Sequence, residues 1–205
     1  NIKWIEKKLN EYFNKLYKTN DDYIIASDTD SVYINMAPLV KMTGATDKDK
    51  IVKALDTFCQ ERLEPYIAQV YGELGNYMNV RENKMVMKRE AIADRGIWTA
   101  KKRYILNVHN SEGVQYPEPK LKIMGIEAVK TSTPLPCREK LRESFKILMS
   151  GDEKQMKDFV VKFRREFEHM SPEQIGFPRS INNIEKYSDT TSIYKKGTPM
   201  HVKGA

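Results

Sequence analysis

The sequence predicts an α+β fold: an antiparallel sheet with packed helices, followed by a mainly helical portion. Three features predict it. Apolar residues recur at helical spacing near the start and again over residues 49–79. Between residues 23 and 124, short runs rich in β-branched and aromatic residues alternate with polar ones. Around Gly125 the pattern turns helical again, and residues 171–205 are rich in Pro, Gly, Asn and Ser.

Taken in order, residues 1–18 read as an amphipathic helix, with Ile2, Ile5, Leu9, Phe13 and Leu16 on one stripe. Tyr23-Ile24-Ile25-Ala26 reads as a buried strand, Ser27-Asp28-Thr29-Asp30 as turn chemistry, and Ser31 to Met36 as a second strand, together a β-hairpin. Residues 37–47, with Pro38 and Gly44, read as a loop. Residues 49–79 carry a helical stripe of Ile51, Leu55, Phe58, Leu63, Ile67, Val70 and Leu74, kinked or divided at Pro65. Lys84–Ile92 and Ile97–Val108 read as strands, the latter closing through Asn110-Ser111-Glu112-Gly113 into a third at Val114–Met124. Helices are expected over Cys137–Met149 and Glu153–His169, punctuated by Gly151-Asp152. The Phe159, Phe163, Phe167 stripe has the spacing of core packing rather than of base stacking. His201 to Ala205 reads like an interrupted strand. A boundary near Gly125 divides the chain into 1–125 and 126–205. The uncapped helical start and strand-like end lead to the expectation of a piece of a larger protein or one chain of a split one.

The 205 residues are 40% hydrophobic and 31% charged, a globular balance. No apolar run approaches the roughly 20 residues of a membrane helix, and no secretion signal is visible at the start. Cys59 and Cys137 match no metal or redox spacing, and His109, His169 and His201 form no zinc pattern, so a reducing cytoplasm is the expected home. The net charge of +7 favours polyanions such as nucleic acid, although a solvated basic surface explains it equally well.

The most specific chemistry lies in Asp28-Thr29-Asp30-Ser31, at the tip of an apolar hairpin. Two carboxylates that close repel each other until a cation neutralises them. Mg²⁺ suits them, being a hard ion that takes carboxylate and phosphate oxygens together. Two such ions about 3.5–4 Å apart activate an attacking hydroxyl and stabilise the leaving oxygen in phosphoryl displacement. An isolated Asp-x-Asp is more often an ordinary turn. The apolar flanks Ile24-Ile25 and Val32-Tyr33-Ile34, which fix this one on a rigid hairpin, favour the catalytic reading.

Ile25 to Tyr33 resembles motif C of family B DNA polymerases, and Lys101-Lys102-Arg103-Tyr104 resembles that family's lysine–lysine–arginine–tyrosine motif, at the interval the family shows. Arg89 to Ile92, Glu118 to Glu127 and Asn182 to Tyr187 are similar to the replicative polymerases of T-even-type bacteriophages. The resemblance covers essentially the whole chain. It implies that residues 1–125 are the C-terminal half of a polymerase palm and 126–205 the N-terminal part of a thumb. Asp28 and Asp30 would bind Mg²⁺ (or Mn²⁺), in a two-metal site completed by an aspartate absent from this chain. The implied reaction is template-directed transfer of a nucleotide from dNTP to a primer 3′-hydroxyl, with Lys102 and Tyr104 positioning the primer terminus. Implied partners are primer–template DNA, dNTP, the missing N-terminal polymerase portion (exonuclease, fingers, motif A palm) and a sliding clamp reached through an absent C-terminus, with no membrane. A phage-encoded chain would work in the host cytoplasm. The sequence departs from the family at Ser27, where glycine is expected, and at Lys88, where the phage enzymes tend to carry an acid. Motifs A and B are missing, so the chain alone is expected to be inactive or nearly so.

Phosphate contacts are expected from Lys101, Lys102 and Arg103, and each would release counterions. Strand alternation sets Lys101 and Arg103 opposite Lys102 and Tyr104, so one or two of the four serve packing. In the second part, Lys130 with Ser132, and Asn182, Asn183, Lys186 and Tyr187, offer further backbone contacts, or serve as capping and turn residues. Glu90 reads either as a carboxylate near the metal pair or, the favoured reading, as a partner of Arg89 or Lys88. The alternative function is a non-catalytic DNA-binding module in which the hairpin is a bare turn. A remoter one is an unrelated basic α+β protein.

Overall fold

A computed structural model describes residues 1–187 and 197–203. The chain forms two compact units, Asn1–Met124 and Gly125–Ala205. The architecture is α+β, with antiparallel strands in two separate sheets of two and three strands.

The first unit opens with helix α1 (Ile2–Tyr17). Its buried face is Ile5, Leu9 and Phe13, four residues apart and therefore on one side of a 3.6-residue helix. That face packs with Tyr23 and with Leu63, Ile67, Val70 and Tyr71 from the later helical segment. Lys18, with φ 56, ends α1 in the left-handed region, its N–H donating to the Asn14 carbonyl. The Asn14 side-chain oxygen then accepts from the Asp21 N–H (2.8 Å), and that of Asn10 from the Tyr23 N–H (2.8 Å). Two helix asparagines thus guide the chain into strand β1 (Ile24–Asp28), which pairs antiparallel with β2 (Ser31–Ile34).

Residues 37–47 are not simply a loop, because Ala37–Thr43 forms helix α2. Pro38 sits in its first turn, where the missing N–H costs nothing, and Gly44 caps it at φ 64. The expected loop residues are therefore helix punctuation. Helix α3 (Lys48–Phe58), a π-helical turn (Cys59–Leu63) and helix α4 (Glu64–Tyr77) follow end to end. The division falls at Pro65, whose ring cannot sit over an unbroken preceding turn.

The expected strand over Lys84–Ile92 starts only at Ala91: residues 84–90 are irregular. Their backbone is satisfied by side chains, with the Met85 N–H on the Asn83 side-chain oxygen and the Arg89 N–H on Glu64 Oε1. Arg89 is itself a staple: its guanidinium bonds Asp56 and Asn110, the latter buried at 2% exposure. The second sheet has the order β3 (Ala91–Ala100), β4 (Arg103–Ser111), β5 (Val114–Met124), all antiparallel. The strand expected over Ile97–Val108 is thus a hairpin, turning at Lys101-Lys102. Lys102 adopts φ 60, a conformation that glycine or asparagine would have advertised and lysine does not. Gly96, paired with Leu106, has a steric reason: a Cβ there would lie 2.7 Å from the Trp98 ring and 2.8 Å from Leu106.

In the second unit, helix α5 (Leu135–Ser150) and helix α6 (Glu153–Glu168) pack together, tied by Lys140 to Glu166 at 2.9 Å. Asp152 and Gln155 form a capping box that starts α6. The phenylalanine stripe of α6 does not form a core, since no residue of α6 is buried and Phe167 is 39% exposed. The rings meet one another along the helix instead, Phe159 stacked with Phe163 (6.4 Å) and Phe163 edge-on to Phe167 (5.9 Å). Helical spacing fixes which face is apolar but not what covers it. Short helix α7 (Pro172–Ile175) and a 3₁₀ turn (Ile184–Tyr187) follow. The expected terminal strand is instead helix α8 (Met200–Lys203), begun by the Pro199 carbonyl, which accepts from Val202 and Lys203. Residues 204 and 205 lie outside the described residues. No helix among them is long and apolar enough to cross a membrane.

Candidate active site

The β1–β2 hairpin places Asp28 opposite Ser31 and turns through Thr29-Asp30, with Thr29 at φ 29. Asp28, at the strand end, is part-buried, whereas Asp30 in the turn is exposed. Asp28 Oδ1 accepts from the Thr29 hydroxyl at 3.1 Å, and the Ser31 hydroxyl donates to the Asp28 carbonyl at 3.3 Å.

One residue before the pair, Ser27 donates its hydroxyl to Glu6 on α1, and Lys3 bridges to the other oxygen of Glu6 at 2.7 Å. A glycine at 27 has no such bond to offer. The Lys3 ammonium, and after it the Ser27 hydroxyl, hold the Glu6 carboxyl below the usual carboxylate range. A lowered folded-state value means that Glu6 stabilises the fold fully above about pH 4 to 4.5 and ceases to do so as pH falls through that lower value. We expect Glu6→Gln to flatten the acid limb of the stability curve below about pH 4.5, read by denaturant unfolding at stepped pH. An unchanged acid limb would count against the tie.

The second hairpin joins this site through aromatic packing. The Tyr33 ring, on β2, meets Trp98 of β3 (5.2 Å) and Tyr104 of β4 (5.4 Å), both edge-on. Burial, and after it a side-chain hydrogen bond to Tyr104 that favours the neutral phenol, push the Tyr33 hydroxyl well above its ordinary range. Edge-on pairs of this kind contribute about 0.5–1.5 kcal/mol each beyond burial and fix relative orientation. Their consequence is to hold the Lys101-Lys102 turn beside the aspartate turn: Lys102 Nζ lies 4.0 Å from Asp28 Oδ2.

Of the sequence candidates, Asp28, Asp30, Lys101, Lys102, Arg103 and Tyr104 all belong to these two hairpins. Lys101 is exposed, Arg103 half-buried at the start of β4, and Tyr104 only 9% exposed. Glu90 pairs across to Lys122 of β5, not with Arg89 or Lys88, because irregular residues 84–90 and β5 bring those two side chains together. In the second unit, Lys130 reaches Glu127 at 3.1 Å and Ser132 is exposed just beyond it. Asn183 (φ 53), Lys186 and Tyr187 share one turn, with the Lys186 N–H on the Asn183 carbonyl and its ammonium 4.7 Å from the Tyr187 ring centroid. Asn182 is exposed beside them. Sequence reading missed Glu6, Tyr33, Trp98 and Lys122. Only Ser27, as a departure from glycine, hinted at any of them.

The donors at the aspartate turn are hard carboxylate oxygens, the kind a small divalent cation prefers. Among the described residues, no group of three or more His, Cys, Asp or Glu is arranged to hold a metal ion. The pair therefore fits such an ion in type but supplies only part of a ligand set.

No family model matches the chain. By sequence it is related to DNA-directed DNA polymerases and corresponds to a segment of them. The relatives are the enzymes of Enterobacteria phage T4 and Escherichia phage RB69, each 37% identical over 99% of this chain. The chain spans only 24% of the length of either.

Proposed function

We propose that this chain carries the motif C portion of a family B DNA polymerase, the first unit being the C-terminal half of the palm and the second the start of the thumb. The reaction is template-directed attack of a primer 3′-hydroxyl on the α-phosphorus of a dNTP, with pyrophosphate leaving. The observation that carries the reading is the convergence of two hairpins, which sets Lys102 4.0 Å from Asp28 at the tip of an aspartate turn. Asp28 and Asp30 would hold Mg²⁺ or Mn²⁺ with an aspartate outside this chain. When bound, the ions supply charge neutralisation and activation of the hydroxyl. Lys101 and Lys102 hold primer phosphates by charge, with Arg103 beside them, so binding weakens as salt rises. Tyr104, packed against Tyr33, braces the turn and so positions the lysines for the primer end. Lys130, Ser132, Asn183, Lys186 and Tyr187 contact duplex backbone from the second unit, positioning rather than reading sequence. Such an enzyme would act in the cytoplasm of an infected host, and a sliding clamp would be engaged by a segment outside this chain.

Primer extension tests the reading. The 205-residue chain alone is expected to add no nucleotides, and extension is expected once the remaining polymerase portion is supplied. Failure to extend when that portion is present and folded would contradict it. The second reading is a DNA-binding module without catalysis, in which the hairpin is a bare turn. That module would bind primer–template DNA with no metal response dependent on Asp28 and Asp30.

A further inference from the structure

A site that must take up divalent cations begins, in this chain, with an ammonium group already facing one of its two carboxylates. Asp28 Oδ2 faces Lys102 Nζ at 4.0 Å, and Oδ1 accepts from the Thr29 hydroxyl at 3.1 Å. Both oxygens therefore have partners from the chain itself. Exposed ion pairs of two long side chains are usually weak, because each must be immobilised. Here the short Asp28 side chain is fixed at a strand end. Lys102 projects from a turn in the left-handed region, φ 60, that the Tyr33, Trp98 and Tyr104 rings hold in place. Lys122, on the adjacent strand β5, is bound to Glu90. Lys102 is thus the ammonium that a cation must displace to reach Asp28.

A primer phosphate offers Lys102 an alternative acceptor of the same charge, and the neighbouring phosphates along the strand add to its attraction. Resting on the polymerase reading, we propose that Lys102 is a positioning residue that guards the metal site: it covers Asp28 in the free protein and releases it when a primer phosphate draws the ammonium away. DNA and metal then bind with positive coupling, and linkage requires each to strengthen the other equally.

The test is Mn²⁺ binding to the 205-residue chain, read from the loss of the free aqueous Mn²⁺ signal in electron paramagnetic resonance. Asp28-dependent binding is the difference between the wild type and Asp28→Asn. Without DNA, Lys102→Gln should tighten that binding about five-fold, the factor that removing one unit charge about 4 Å away in water contributes. Lys102→Asn, whose side chain tolerates positive φ, should give the same shift with no risk to the turn. Lys53→Gln, an equal charge change on the exposed side of α3, should leave the affinity within about two-fold. A saturating primer–template duplex should tighten the wild type and leave both Lys102 variants nearly unmoved. Asp28-dependent Mn²⁺ binding that neither Lys102 variant alters would overturn the guarding role while leaving the polymerase reading intact. Mn²⁺ binding unaffected by Asp28→Asn, with or without DNA, would overturn both.

Discussion

Replacing Asp28 and Asp30 together by asparagine is expected to lower primer extension by a polymerase carrying this segment by at least about 10³-fold. That factor corresponds to roughly 4 kcal/mol of lost transition-state stabilisation, in the range a metal-held phosphoryl site supplies. The substitutions keep side-chain volume, and asparagine at 28 retains an oxygen to accept from the Thr29 hydroxyl. The hairpin is therefore expected to stay folded, which circular dichroism checks in parallel. Affinity for primer–template DNA should hold or rise, since loss of the Asp28 charge frees Lys102. A fall in extension without a fall in DNA affinity distinguishes a metal site from a mere binding surface. Undiminished extension by the double variant would sink the assignment.

Phe13→Ala is expected to cost about 3–5 kcal/mol of stability, the usual range for deleting a fully buried phenylalanine. Phe13 is 0% exposed and stands against Tyr12 (5.3 Å), Tyr17 (5.7 Å) and Tyr23 (5.9 Å). Tyr23 immediately precedes β1, so the cavity opens beneath the strand that carries Asp28. Domains of this size are stable by about 5–15 kcal/mol, so the loss is a large fraction of the total. Phe13→Leu, which keeps most of the volume, should cost less than half as much. Denaturant unfolding measures both, and a Phe13→Ala cost below about 1 kcal/mol would contradict the packing described here.

Periodic elements are legible in the sequence for a physical reason. The stripe of Ile5, Leu9 and Phe13 exists because one face of α1 must be buried, and burial writes itself into spacing. The tip position of Asp28-Thr29-Asp30 is legible likewise, since the apolar runs on either side can only be paired strands. What resists reading are features that depend on a partner distant in sequence. Lys102 turns the chain at φ 60 without the glycine or asparagine that signals such turns, so a hairpin reads as one strand. Pro38 and Gly44 punctuate helices and loops alike, and α2 is lost between the two meanings. Residues 84–90 alternate in sequence, yet the Glu64 carboxylate takes the Arg89 N–H that a strand would have paired. The contacts of Glu6 with Ser27, of Lys102 with Asp28 and of Lys122 with Glu90 join separate elements. Neither charge nor spacing in the linear chain encodes which of several available acids each lysine meets.

On the reading proposed here, the two carboxylates of the β1–β2 turn share divalent cations with substrate phosphates. A crystal of the polymerase containing this segment, with primer–template DNA, a non-reactive dNTP analogue and Mn²⁺, tests it through anomalous scattering. Manganese peaks are expected within about 2.0–2.3 Å of carboxylate oxygens of both Asp28 and Asp30, with Lys102 moved onto a primer phosphate. Peaks located elsewhere, with those carboxylates turned away from the DNA and Lys102 still on Asp28, would contradict it.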